Sequence, residues 1–203
     1  MDKRGHLMSE GSEEKALNAM VPKDRIGALI GPGGSIKTQI ERRLGVKLDI
    51  DSSTGNVKIT LSETQDPSLL FKARDTVMAI GRGFSPKRAF RLFNEDAFFK
   101  LIDLSSTVGR NPKDLKRIKA RIIGEKGKTR RIIEETTGCV VSVYGDTVSI
   151  IGEPDDIEVA GEAVVMLTQG ALHSSVYRYL DRYAHKKKTK AFLSGYGGEP
   201  PRP

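Results

Sequence analysis

The stretch Val21-Pro22-Lys23-Asp24-Arg25-Ile26-Gly27-Ala28-Leu29-Ile30-Gly31-Pro32-Gly33-Gly34 decides the fold, because its end returns further along the chain as Ile123-Gly124-Glu125-Lys126-Gly127. Gly31 and Gly124 stand 93 positions apart, and the same offset brings Ile40 to Ile133, Glu41 to Glu134, Gly45 to Gly138 and Val46 to Cys139. A match sustained over that length marks an internal repeat, and a repeat fixes the architecture before any single element does.

Each copy reads outward from its glycine loop in the same order. Before the loop lies a helical stretch: residues 23–30 in the first copy, and residues 113–123 in the second, where Asn111 is placed to cap and Pro112 to occupy the first helical position. After it comes another helix. Ile36, Ile40 and Leu44 recur every four residues and Gly45 ends the run; Ile133 and Thr137 sit likewise ahead of Gly138. Val46-Lys47-Leu48-Asp49-Ile50 and Val57-Lys58-Ile59-Thr60-Leu61 then alternate apolar and polar across a turn at residues 53–56. That pattern predicts a hairpin, and residues 141–143 and 148–151 repeat it around Gly145-Asp146. A long helix follows Asp66-Pro67 in one copy and Glu153-Pro154 in the other, and short strands fit residues 16–21 and 99–104. The order β-α-α-β-β-α gives an α+β fold, each unit a three-stranded sheet with helices on one face.

At 203 residues the chain holds two such small units, each with a modest core, so a shared interface between them is expected. Ser85-Pro86 opens a short helix over residues 87–93, which reads as a rigid joint. Residues 186–203 combine a basic run with Gly and Pro and read as disordered.

The glycines carry the chemistry. A glycine at each end of the loop lets the backbone turn sharply and keeps side chains from holding a phosphate away. The loop also opens the second helix, whose N-terminus favours an anion by about 0.3–1 kcal/mol from its dipole alone. A lone Gly-x-x-Gly is also a tight inter-helix turn; two copies in the same helical setting favour a phosphate cradle.

The stretch from Val21 to Gly34 resembles a type I KH domain, and the second copy is a more divergent relative of it. The resemblance implies a groove between the loop, its helices and the hairpin, taking about four unpaired nucleotides. On this reading residues 1–14 form a flexible N-terminus, 15–84 the first KH domain, 85–96 the helical joint, 97–184 the second KH domain and 185–203 the basic tail. The candidate RNA-binding residues are Ile30, Gly31, Pro32, Gly33, Gly34 and Lys37 in the first copy. In the second they are Lys119, Arg121, Ile123, Gly124, Glu125, Lys126, Gly127, Lys128, Arg130 and Arg131. Ile26, Ile30, Leu48 and Ile50, with Ile123, Val141 and Val143, either floor the grooves or are ordinary core. Lys37 and Arg130 stand where the family usually has an aliphatic residue; Pro32 lacks a donor, and Glu125 faces phosphate unfavourably.

Lys and Arg outnumber Asp and Glu by 34 to 26, a net charge of +8, which favours an anionic partner only where the charge clusters. Residues 23–47 carry six basic side chains to two acidic, and residues 113–131 carry nine to two. Neutralised phosphates release counterions, so the second copy is expected to supply more of the affinity.

Two further segments narrow the resemblance: Gly83-Phe84-Ser85-Pro86-Lys87-Arg88-Ala89-Phe90-Arg91-Leu92, and Gly170-Ala171-Leu172-His173-Ser174-Ser175-Val176-Tyr177-Arg178-Tyr179-Leu180. Together with the two-unit layout they are similar to the Pno/Dim family of small-ribosomal-subunit assembly factors, in its archaeal form, from about residue 16 to 183. That resemblance implies binding to the 3′ region of small-subunit ribosomal RNA, alongside the Nob endonuclease and the Dim methyltransferase, and contact with the alpha subunit of initiation factor two. His173 and Tyr177 are expected to pack the final helix on its domain.

Other classes fit less well. A single cysteine, Cys139, rules out an internal disulfide, and His6, His173 and His185 are not at metal-ligand spacing, so no cofactor is expected. Asp49 with Asp51, and Asp155 with Asp156, lack the further ligands a Mg²⁺ site needs, and no nucleophile has a matching base; the chain reads as non-enzymatic. Apolar runs are too short for a membrane span and the start is too polar for a signal core, which points to the cytoplasm. The alternative is a protein-interaction adaptor in translation initiation, its less basic first domain binding a protein.

Overall fold

The computed structural model describes residues 16–61 and 66–195. The first unit runs β1 (Ala16–Met20), α1 (Lys23–Ile30), α2 (Ser35–Leu44), β2 (Val46–Ile50), β3 (Asn56–Leu61) and α3 (Ser68–Gly81). A joint follows, α4 (Pro86–Ala89) continuing as a 3₁₀ turn over Phe90–Phe93. The second unit runs β4 (Phe98–Asp103), α5 (Leu104–Val108), α6 (Pro112–Ile123), α7 (Lys128–Thr137), β5 (Val140–Tyr144), β6 (Thr147–Gly152) and α8 (Pro154–Thr168), and α9 (His173–Gly195) packs beside it.

Both sheets are antiparallel, in the orders β1-β3-β2 and β4-β6-β5, so the last strand of each unit lies in the middle. Ile59 pairs with Leu48 on one side and Leu17 on the other, which sets the alternation of Val57, Ile59 and Leu61 onto the helical layer. The α6 cap is as the residues predict: the Asn111 side chain accepts the Lys113 N–H at 3.0 Å, with Pro112 opening the helix. The short α5 was not anticipated. Asp103 caps it by accepting from Ser105 N–H at 2.8 Å and from the Ser105 hydroxyl at 2.7 Å, a local signal hidden behind the end of a strand.

The central strand of the second sheet is buried on both faces. All six residues of β6 are buried: Val148 and Ile150 belong to the second unit's core, whereas Ile151 packs with Phe84, Ala89 and Leu92 in a cluster continuous with the first unit. The expected shared interface is therefore built on the joint. Polar contacts reinforce it: Ser142 Oγ donates to Arg82 O at 2.9 Å, Arg91 donates to Gly138 O at 2.9 Å, and Arg88 pairs with Glu134. Gly83, at φ +92°, lies so close to β5 that a Cβ there would stand 2.9 Å from both Ser142 Oγ and Tyr144 Cβ.

One expectation is corrected. The basic segment expected to be disordered over 185–203 is helical as far as it is described: α9 continues through Gly195. Val176 and Leu180 are buried, and the next turns of the same face carry Tyr183 and Lys187, which both bond Asp156 at 2.7 Å. Asp156 is only 5% exposed, so the lysine that looked like part of a solvated run neutralises a buried carboxylate at the start of α8. Residues 1–14, expected to be flexible, and 196–203 lie outside the described residues.

Candidate nucleic-acid interface

The two glycine loops share one backbone. Gly31 (φ 72°, ψ 172°) ends α1, Gly33 (φ 57°) and Gly34 (φ 79°) follow, and α2 begins; Gly124 (φ 74°, ψ 172°), Lys126 (φ 49°) and Gly127 (φ 77°) repeat the path into α7. Their outer glycines do different jobs. A Cβ at Gly31 would stand 2.4 Å from Ile36 Cγ1, and one at Gly124 would stand 2.3 Å from Thr129 Oγ1, so the first glycine is demanded by packing. At Gly34 and Gly127 nothing lies within 4 Å of a Cβ. That open space, over the start of α2 and α7, leaves room for an anion to reach the backbone N–H groups of a helix N-terminus.

Lys126 is the only non-glycine residue with positive φ among the described residues, a conformation that costs about 1–2 kcal/mol outside glycine. Arg131 donates to the Lys126 carbonyl at 3.1 Å and so helps hold it. Pro32, Glu125, Lys126, Lys128 and Arg131 are exposed, whereas Lys37 and Arg130 are half-buried. Lys37 lies 3.9 Å from Glu41.

The apolar groove candidates separate into two sets. Ile26, Leu48 and Val141 are buried and belong to the cores; Ile30, Ile50, Ile123 and Val143 are half-buried and so keep an apolar surface that a groove floor requires. The strand beside each expected groove, β2 or β5, is an edge strand. The outward N–H of Leu48 is accepted by Glu41 Oε1 at 2.8 Å, and that of Val141 by Glu134 Oε1 at 2.7 Å. The repeat had aligned these glutamates; their role needed the strand's position. Lys119, on the cleft side of α6, reaches the β5–β6 turn, with Nζ 3.0 Å from Gly145 O and 3.1 Å from Asp146 Oδ1. In the first unit the corresponding turn is tied by Asp51, which accepts from the Ser53 hydroxyl at 2.6 Å, the Thr54 hydroxyl at 2.6 Å and the Ser53 N–H at 2.8 Å. These bonds, the Ser53 hydroxyl foremost, hold its carboxyl well below the usual carboxylate range.

Arg121 points away from the cleft. Its guanidinium donates to Leu167 O at 3.4 Å and to Ala171 O, clamping α6 to the end of α8. Arg25 does the same in the first unit, donating to Ile80 O at 3.0 Å and Phe84 O at 2.7 Å, the same i, i+4 pair of carbonyls taken from a different position on the helix. Periodicity gave no signal for this, since the acceptors lie more than forty residues away. Tyr144 joins the second hairpin to the first unit: its hydroxyl donates to Asp24, and the Arg25 guanidinium lies 5.9 Å from its ring centroid. The bond to Asp24, more than partial burial or charge, raises the phenol's pKa.

Behind the second loop, His173 and Tyr177 hold α9 in place as the sequence implied. His173 Nε2 is 3.0 Å from Arg121 O, and because a carbonyl only accepts, Nε2 carries the proton. Tyr177 shares a 2.9 Å bond with the buried Thr129 hydroxyl. Among the described residues no group of His, Cys, Asp and Glu could hold a metal, and no helix is long and apolar enough to cross a membrane. Cys139 is buried, and that burial pushes its thiol pKa up.

Comparison with known proteins agrees with this geometry. Residues 98–185 match the second KH domain of the PNO1 type, described as a eukaryotic type KH-domain of KH type I, and residues 18–78 match the KH domain. A KH domain-containing protein of Methanocaldococcus jannaschii is 44% identical over 182 residues, 89% of this chain and 79% of that protein. The crystal structure of Dim2p from Pyrococcus horikoshii OT3 is similar at a TM-score of 0.78 and 50% identity, covering 83% of this chain and 99% of that one. A chain of the a/eIF2alpha-aDim2p-rRNA complex from the same organism gives a TM-score of 0.82 and 49% identity over 87% of this chain and 98% of that one. With two KH domains, the second of the PNO1 type, and these relatives along most of its length, the chain belongs to the Pno/Dim family of tandem KH-domain RNA-binding proteins.

Proposed function

We propose that the protein binds an unpaired segment at the 3′ region of small-subunit ribosomal RNA during ribosome assembly, the second KH domain supplying most of the affinity. The observation that carries this is the second loop: open space over Gly127, at the start of a helix, inside a segment with nine basic side chains to two acidic. A groove of this kind accepts backbone and base edges only from splayed nucleotides, because an A-form major groove hides those edges. The choice of ribosomal RNA is supported by the similarity to a chain of a complex that contains rRNA. The Nob endonuclease and the Dim methyltransferase are the further partners that this placement implies.

The first domain has a second reading. Its loop segment is less basic, and the similar complex also contains a/eIF2alpha, which favours a role in which this domain meets a protein such as that subunit. A competition assay with the ribosomal single strand, its duplex and an unrelated single strand tests the main proposal. Equal binding to the duplex overturns the groove mechanism, and equal binding to the unrelated strand overturns the target. RNA affinity that survives damage to the Gly34 loop supports the division of labour.

A further inference from the structure

The second glycine loop has two sides, and the cleft uses only one. On α6, Lys119 reaches the β5–β6 turn, whereas Arg117, Ala120 and Arg121, with Gly124 just past the helix end, lie on the opposite side toward α9. Between that side, the start of α7 and the first turns of α9 is an open cavity of about 510 Å³, lined among others by Arg117, Lys128, Thr129, His173 and Tyr177. Its size falls within the roughly 300–1,000 Å³ usual for small-molecule sites.

We propose that this cavity is an RNA subsite, taking a nucleotide that flanks the segment held in the cleft; the inference rests on the single-strand reading above. Three observations favour it. The cavity shares Gly124, Glu125 and Lys128 with the loop itself, so a strand crossing the loop passes from one compartment to the other without leaving the surface. Its charge suits phosphate: Arg117, Arg121 and Lys128 face a single carboxylate, Glu125. Of these, Arg121 is occupied by the carbonyls of Leu167 and Ala171, while Lys128 is exposed and has no ion-pair partner among the described residues. Arg117 holds only a loose contact with Asp114, at 3.3 Å between two exposed side chains.

The walls are also fixed in advance. Arg121 ties α6 to the end of α8, His173 bonds the α6 backbone, and Tyr177 bonds Thr129, so the cavity walls are held in place by half-buried bonds rather than by the ligand. With the Nε2 proton committed to Arg121 O, the other ring nitrogen of His173 is left for a hydroxyl or a base edge. The first unit is not built this way. Ile36 stands where the second copy has Thr129, so no hydroxyl is offered to a helix behind that loop.

The test compares a tetranucleotide from the ribosomal single strand with versions lengthened by three nucleotides at the 5′ or the 3′ end, against the wild-type chain and Arg117→Glu, with Arg117→Lys as the conservative control. The wild type should bind one of the lengthened strands several-fold more tightly than the tetranucleotide. Arg117→Glu should abolish that gain while leaving the tetranucleotide within twofold, and Arg117→Lys should restore most of it. Losing one phosphate contact should also flatten the slope of log affinity on log salt by about 0.7 for the lengthened strand alone. If neither extension gains affinity, or if Arg117→Glu weakens all strands equally or none, the subsite is overturned while the cleft stands. If the wild type binds no single strand of any length, the single-strand reading falls and the subsite with it.

Discussion

Glu134 Oε1 accepts the Val141 backbone N–H at 2.7 Å and in the same carboxylate receives Arg88 from the joint, so one side chain seals the edge of β5 and fastens the two units together. In the first unit Glu41 makes the equivalent bond to Leu48 without an arginine from the joint.

Replacing Glu134 by Ala should therefore leave a buried N–H without its acceptor, a loss of about 1–3 kcal/mol. Glu41→Ala should fall in the same range. What separates them is the joint: a double-mutant cycle of Arg88 and Glu134, read by urea denaturation, should show a coupling of about 0.2–1 kcal/mol, the size usual for a part-exposed ion pair. Zero coupling would mean that Arg88 does not contribute to holding the units together.

The two outer glycines of each loop should respond oppositely to substitution. Gly124→Ala and Gly31→Ala drive a methyl into Thr129 and Ile36 and should lower stability more than RNA affinity. Gly127→Asp and Gly34→Asp meet open space, so beyond about 1–2 kcal/mol of backbone strain their effect should be on RNA. With the more basic segment around it, Gly127→Asp should weaken binding more than Gly34→Asp, and should flatten the salt dependence, each lost phosphate contact removing about 0.7 from the slope. Circular dichroism checks the folds first; an equal or greater loss from Gly34→Asp refutes the ranking.

Acid should loosen the first hairpin turn. The Asp51 carboxyl titrates below its unfolded value, so its stabilising bonds to Ser53 and Thr54 are fully present above about pH 4 and are lost as pH falls through the lower, folded value. An Asp51→Asn variant should be less stable than wild type at pH 6, and the gap between their denaturation midpoints should close as pH drops below 4. A gap independent of pH would show that the carboxylate charge is not what holds the turn.

Cys139 should be protected in the folded protein. Buried beneath β6, with its thiol pKa raised, it offers little thiolate and no path of attack. A chromogenic disulfide reagent should react slowly in buffer and speed up with denaturant in step with unfolding of the second unit. Fast reaction under native conditions would show that this core opens locally.

Much of this molecule could be read from its residues. The 93-residue repeat, the Asn111–Pro112 helix start, the alternation in Val57, Ile59 and Leu61, and the glycines at 31, 34, 124 and 127 are local or periodic, so they are written in neighbouring positions. Tertiary structure alone decided what distant groups do. Arg121 looks in sequence like one more cation of a phosphate-binding run, yet the carbonyls of Leu167, in the last turn of α8, and Ala171, just past it, claim it; Lys187 looks like part of a basic tail, yet Asp156 draws it inward. The physical reason is common to both: a charged side chain goes where an unpaired buried acceptor needs it, and chain neighbours do not reveal where such acceptors lie.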